Sequence, residues 1–140
     1  MPTSAAQSGP LAASDQRFQS IPARFVATSL RQPQAPAYFV RDAQGWQPTS
    51  WSALLRDVQR AARALVGLGV QPGQTVCILG FNRPEWVLFQ HGAMMAGGVG
   101  AGIYTTCSAD EVAYIVDHAE ASLVLIEDLG QWKKIAARRD

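Results

Sequence analysis

Three consecutive hydroxyl side chains, Tyr104-Thr105-Thr106, hold the position in this chain best suited to chemistry. They close an apolar run, Val99 to Tyr104, that reads as a short strand. Open α/β sheets bind ligands outside the carboxyl ends of their strands, so hydroxyls there can line a pocket and hydrogen-bond a polar substrate. The plainer reading of the same residues is an ordinary solvated loop.

The glycine cluster Gly97-Gly98-Val99-Gly100-Ala101-Gly102 invites comparison with a phosphate cradle. A dinucleotide fingerprint follows a strand and opens a helix. This cluster follows a helical pattern and enters a strand, and its spacing differs. Close backbone packing accounts better for these glycines. A nucleotide-binding loop also needs a lysine next to its glycines. The only lysines, Lys133 and Lys134, lie far from any glycine-rich turn, so the usual phosphate apparatus is missing.

The other titratable groups have structural readings first. His91 falls mid-helix and His118 near a helix end, where positive charge is favoured. Asp110 and Glu111 belong to a helix start, and Glu127-Asp128 to a turn at a strand end, although such an end can also carry function. Cys77 lies in the apolar run TVCIL and Cys107 in a loop; two unpaired thiols fit a reducing cytoplasmic setting. They are too few and too far apart for a zinc site, and no metal ligands are expected.

Residues 18–31 read as a short helix with Pro22 in its first turn after Ser20. Ala37 to Arg41 and Gly45 to Pro48 read as two strands about the turn Asp42-Ala43-Gln44-Gly45, with Pro48 confining the second to an edge or an end. Ser50 caps a helix whose apolar stripe is Trp51, Leu54, Leu55, Val58, Ala62 and Leu65, with Gly69 just beyond its end. After the turn Gln71-Pro72-Gly73-Gln74 comes the strand Thr75 to Leu79. A helix follows, with Asn82 as N-cap, Pro84 in the first turn, and Trp86, Phe89, Ala93 and Ala96 on one face. Ser108 and Glu111 form a capping box ahead of the stripe Val112, Ile115, Val116 and Ala119. Leu123 to Ile126 is a further strand. Residues 130–138 begin a last helix, with Trp132, Ile135 and Ala136 inward. Helices between short apolar strands predict an α/β fold, a mostly parallel sheet with flanking helices.

Composition narrows the partners. Charged residues are 16% of the chain, below the usual ~25%, so part of the surface is expected to lie against something else. A net charge of +1 gives no electrostatic case for nucleic acid. Residues 1–17 lack the basic-then-apolar order of a secretory signal and read as a disordered lead-in. The stretch from Val87 to Tyr104 has the length of a membrane span, but Gln90, His91 and five glycines argue against one.

Several segments together resemble one family, the adenylate-forming acyl-CoA synthetases. They are Pro48-Thr49-Ser50-Trp51, residues 69–76 (GVQPGQTV), Asn82-Arg83-Pro84-Glu85-Trp86, Ala96-Gly97-Gly98-Val99 and residues 110–115 (DEVAYI). Gly102-Ile103-Tyr104-Thr105-Thr106 and His118-Ala119-Glu120-Ala121 look most like the long-chain fatty acid ligases, the bubblegum-like branch included. The resemblance covers about residues 22–138. It implies that a fatty acid carboxylate attacks the α-phosphate of ATP, giving acyl-adenylate and pyrophosphate, and that CoA then displaces AMP. It places the Mg²⁺, lysine and Ser/Thr/Gly-rich loop of that reaction beyond Asp140. Residues 18–140 are then a partial N-terminal domain, truncated before the ATP-binding loop and inactive alone. No catalytic residue is carried over, and Tyr104, Thr105 and Thr106 remain the substrate-binding candidates. The partners implied are fatty acid, ATP, CoA and the remainder of the ligase domain, in the cytoplasm, with peripheral membrane association left open. A ligase for another carboxylic acid, or a stand-alone binding module on the same half-fold, are the other readings.

Overall fold

Ser20 starts the first helix, its hydroxyl accepting a hydrogen bond from the Ala23 amide at 3.3 Å. The computed structural model describes residues 20–137. The lead-in expected over residues 1–17 lies outside the described residues, as do Phe18, Gln19 and Arg138 of the helices expected over residues 18–31 and 130–138.

Helix α1 (Ile21–Arg31) has Pro22 in its first turn and ends at Gln32. Strands β1 (Pro36–Asp42) and β2 (Gly45–Ser50) form an antiparallel hairpin. Asp42 shapes its turn by accepting the Gln44 amide at 2.7 Å. Pro48 pairs with Phe39. Both strands of a two-stranded sheet are edges, so a missing N–H is tolerated and β2 runs on to Ser50. Ser50 then caps α2 (Trp51–Gly67), its hydroxyl accepting the Ala53 amide at 3.2 Å. Replacing Ser50 by Ala is expected to cost about 1 kcal/mol in urea denaturation. A change of only a few tenths would mean that the cap contributes nothing.

The buried stripe of α2 is Leu54, Val58, Ala61 and Leu65, with Ala61 taking the place expected for Ala62. The reason lies in α3 (Pro84–Met95), where Gly92 comes so close that an added Cβ would stand 3.0 Å from the Ala61 methyl. Gly69, with φ +93°, follows the α2 cap as expected, and Gly73, with φ +84°, closes the Gln71–Gln74 turn. The N-cap of α3 is Arg83 instead of Asn82, and it has no side-chain cap bond. A residue before proline is forced to extended backbone, here φ −129° and ψ 161°, so Pro84 at the helix start fixes the cap one residue later.

Strands β3 (Thr75–Leu79), β4 (Val99–Ile103) and β5 (Ala121–Ile126) form a parallel sheet in the order β4-β3-β5. Central β3 is covered on both faces. Val76 packs with Leu65, Val70 and Ala93 on the α2–α3 side. Cys77 and Leu79 pack with Ile103 and Val112 on the other, where α4 (Ala109–His118) and α5 (Leu129–Ala136) lie. A third cluster of Phe25, Leu54 and Val58 joins α1 and α2 to the hairpin. Ser108 and Glu111 form both halves of the capping box on α4. In α5 Trp132 and Ile135 are half-buried, but Ala136 is exposed and Gln131 buried, against expectation. Gln131, Lys134 and Ile135 fall at i, i+3 and i+4, and that face turns Ala136 to solvent. The architecture is α/β, a mostly parallel sheet with flanking helices.

Candidate functional site

Parallel pairing brings the carboxyl ends of β4, β3 and β5 to one edge, where three loops leave the sheet. The β3–α3 loop and the end of β5 are tied together. Glu127 accepts the Phe81 amide at 2.7 Å on one carboxylate oxygen and the Arg83 guanidinium at 2.9 Å on the other. Arg83 also meets Glu85 at 3.3 Å. Gly80 allows the approach, because a Cβ there would lie 3.2 Å from the Glu127 Cβ. The Arg83 hydrogen bond, then the Phe81 amide, hold the Glu127 carboxyl below its ordinary value. The Glu127 hydrogen bond and the Glu85 charge raise the Arg83 guanidinium in turn.

This arrangement has a pH signature. An unfolded Glu titrates near 4.5, and Glu127 titrates lower when folded. Its contribution to stability is complete above that unfolded value and is lost as pH falls through the folded one. Glu111 behaves likewise, its carboxyl lowered by the Ser108 amide and then the Ser108 hydroxyl. Glu127→Gln is therefore expected to lower the urea midpoint at pH 7 and to flatten its decline between pH 5 and 3. A native-like decline in the variant would remove Glu127 from the acid response.

Beside this cluster lies a cavity of about 270 Å³ whose apolar walls include Ile78, Trp86, Phe89, Leu125 and Ile126, with Arg83, Glu85 and Glu127 also lining it. It is an apolar recess with a paired cation and carboxylates among its polar groups. A wider cleft of about 780 Å³ runs between the hairpin and α3, lined by Phe39, Trp46, Trp86 and Val87 among others.

Tyr104, Thr105 and Thr106 leave the carboxyl end of β4, one strand from Gly80 and two from Glu127. Tyr104 is 82% exposed, Thr105 half-buried and Thr106 exposed. None of the three lines the 270 Å³ cavity. Their loop closes through the Cys107 amide, which donates to the Tyr104 carbonyl at 3.1 Å. Lys134 of α5 reaches in and donates to the carbonyls of Thr105 at 2.6 Å and Cys107 at 2.7 Å.

The remaining candidates take structural places. His91 Nδ1 lies 3.1 Å from the Val87 carbonyl, and its ring packs on Phe25. His118 stacks on Tyr114. Asp128 caps α5 through the Gln131 amide. Cys77 is fully buried, which raises its thiol, and Cys107 is half-buried. The glycine cluster serves close packing: a Cβ on Gly98 would meet the Gln74 carbonyl at 2.8 Å, and one on Gly102 the Trp86 ring at 2.7 Å. Among the described residues no group of three His, Cys, Asp or Glu side chains could hold a metal ion. Among the described residues no helix is long and apolar enough to cross a membrane, and the stretch Val87 to Tyr104 is divided between α3 and β4.

Sequence reading passes over Arg83 and Lys134 as site residues. Each has a local pattern that explains it, a proline helix start and a basic helix end. Their partners stand 44 residues away for Arg83 and 29 and 27 for Lys134, a pairing that only the strand order creates.

The model of a family of AMP-binding enzymes matches residues 25–140. The chain is 35% identical over 116 residues to the long-chain-fatty-acid–CoA ligase ACSBG2 of Mus musculus, covering 83% of this chain and 17% of that protein. It thus spans less than a fifth of that relative's length. Two solved structures share the fold. The anthranilate CoA ligase AuaEII in complex with anthranoyl-AMP superposes with a TM-score of 0.77 at 23% identity, covering 92% of this chain and 24% of that one. A Mycobacterium tuberculosis fatty acyl CoA synthetase gives 0.76 at 23% identity, covering 86% and 24%.

Proposed function

The chain belongs to the AMP-binding enzyme family, and from that premise we propose that it forms the opening part of the large domain of a long-chain fatty acid–CoA ligase. The carrying observation is the 35% identity to a long-chain ligase. In this reading a fatty acid carboxylate oxygen attacks the α-phosphorus of ATP and pyrophosphate leaves. The CoA thiol then attacks the acyl carbon of the adenylate and AMP leaves. A carboxylate is a poor acyl donor, and AMP makes it a good one.

The residues of this chain do not fit ATP or Mg²⁺. There is no glycine-rich loop ending in lysine in the sequence, and the described residues hold no metal-binding cluster. No step of the reaction is assigned to them. ATP, Mg²⁺ and CoA are partners of the remainder of the ligase domain. This chain supplies the frame and the Tyr104–Thr106 loop, which we place beside the acid or its adenylate because parallel sheets bind ligands at that edge. Residues 18–140 form one unit in this proposal, with residues 1–17 as a lead-in. Two unpaired thiols support a cytoplasmic setting.

A chimaera tests it. Residues 25–140 replace the matching stretch of the mouse relative, and fatty-acid-dependent AMP formation is measured. Activity is expected to persist, and Thr105→Val with Thr106→Val to lower kcat/KM about tenfold, the size of one lost hydrogen bond. A folded but inactive chimaera, or one that prefers aryl acids, would overturn the substrate reading. The 140-residue chain alone is expected to show no fatty-acid-dependent ATP–pyrophosphate exchange; exchange would overturn the partial-domain reading.

A further inference from the structure

We infer that Lys134 is a positioning residue, an ammonium clamp from α5 that sets the conformation in which Tyr104, Thr105 and Thr106 are presented. The inference rests on the reading that this loop borders the ligand, but its test does not.

The loop leaves β4 without regular pairing, and the Cys107 amide donates to the Tyr104 carbonyl across it. A single four-residue turn of this kind opens easily. Lys134 changes that. Its ammonium donates at 2.6 Å to the Thr105 carbonyl and at 2.7 Å to the Cys107 carbonyl, so one charged donor gathers two acceptors on alternate residues. Hydrogen bonds from a charged donor are shorter and stronger than neutral ones. Fixing the carbonyls at 105 and 107 fixes the peptide planes that carry the threonine side chains. The clamp is half-buried, and Ile135 beside it packs into the core cluster of Cys77, Leu79, Ile103 and Val112. Lys134 therefore works from a rigid base. The same β5–α5 unit holds the neighbouring β3–α3 loop through Glu127. Two loops at the carboxyl edge thus take their position from one element.

Cysteine alkylation reads the clamp directly. Cys107 sits in the clamped loop and is half-buried; Cys77 is fully buried in β3 and reports on the whole fold. Iodoacetamide is added to the 140-residue chain at neutral pH, and each thiol is followed by mass spectrometry of its peptide. Lys134→Met is expected to speed alkylation of Cys107 at least about tenfold, because two charge-assisted hydrogen bonds are lost, while Cys77 stays protected. Lys134→Arg is expected to return Cys107 most of the way to its native rate, since a guanidinium can also donate to two acceptors. An unchanged Cys107 rate in Lys134→Met would overturn the proposal. So would parallel acceleration of both thiols, which would make Lys134 a support of the whole fold. Failure of Lys134→Arg to slow Cys107 would take the hydrogen bonds out of the account.

Discussion

Replacing Leu79 by Ala is expected to cost about 2–5 kcal/mol of folding stability, a large share of the 5–15 kcal/mol typical of a domain. Leu79 is fully buried at the end of the central strand. It stands in register with Ile103 of β4 and Ile126 of β5, and packs in the cluster that Val112 closes from α4. Removing three side-chain carbons there loses their transfer free energy and leaves a hole. The hole cannot collapse easily, because the neighbouring strands are held by backbone pairing on both sides. Val66→Ala is the control. Val66 is 55% exposed on α2, and its loss should stay within about 0.5 kcal/mol. Urea denaturation of the two variants measures both. A loss below about 1 kcal/mol at Leu79 would mean that α4 and α5 do not close this face of the sheet.

The same strand shows what sequence patterning conveys. The run Thr75 to Leu79 has no polar alternation, and it is covered on both faces. Caps were equally legible, since Ser20, Ser50 and the Ser108–Glu111 box act over three residues and need no tertiary information. The misread positions have two kinds of cause, a distant element at Ala61 and a neighbouring residue at Arg83 and Gln131. Ala61 replaces Ala62 on the α2 stripe because Gly92 of another helix approaches it. Arg83 replaces Asn82 as cap because Pro84 overrides side-chain preference, and its guanidinium is taken up by Glu127. Gln131 displaces Ala136 from the interior because α5 is oriented by its cap on Asp128. The candidate site divides in the same way. Tyr104, Thr105 and Thr106 can be found from their place after a strand. The groups that hold the edge together, Arg83, Glu127 and Lys134, come from three elements whose adjacency follows from the order β4-β3-β5. No local period encodes that order.

Among the glycines that resembled a phosphate cradle, Gly98→Ala is expected to be the most damaging single methyl, at about 1–3 kcal/mol or more. Its added Cβ would lie 2.8 Å from the Gln74 carbonyl and 3.3 Å from the Ala93 carbonyl, both backbone atoms. Those carbonyls are committed, Gln74 accepting the Val99 amide at 2.9 Å and Ala93 the Gly98 amide at 2.9 Å. Relief therefore requires the start of β4 to move away from the turn before β3. Gly102→Ala should come second. Its Cβ would meet the Trp86 ring at 2.7 Å, and a ring can tilt only by displacing its neighbours. Gly100→Ala should be mildest despite the shortest approach, because what it meets is the end of the Gln90 side chain. That amide can swing away at the cost of one long hydrogen bond, 3.4 Å from Nε2 to the Gly100 carbonyl. The order Gly98, Gly102, Gly100 is set by how far each obstacle can yield, and the shortest distance alone would put Gly100 first. Urea midpoints of the three variants without ligand decide between these rankings. If all three were as stable as the native chain, close packing would not explain the glycines, and their purpose would have to be sought in a ligand.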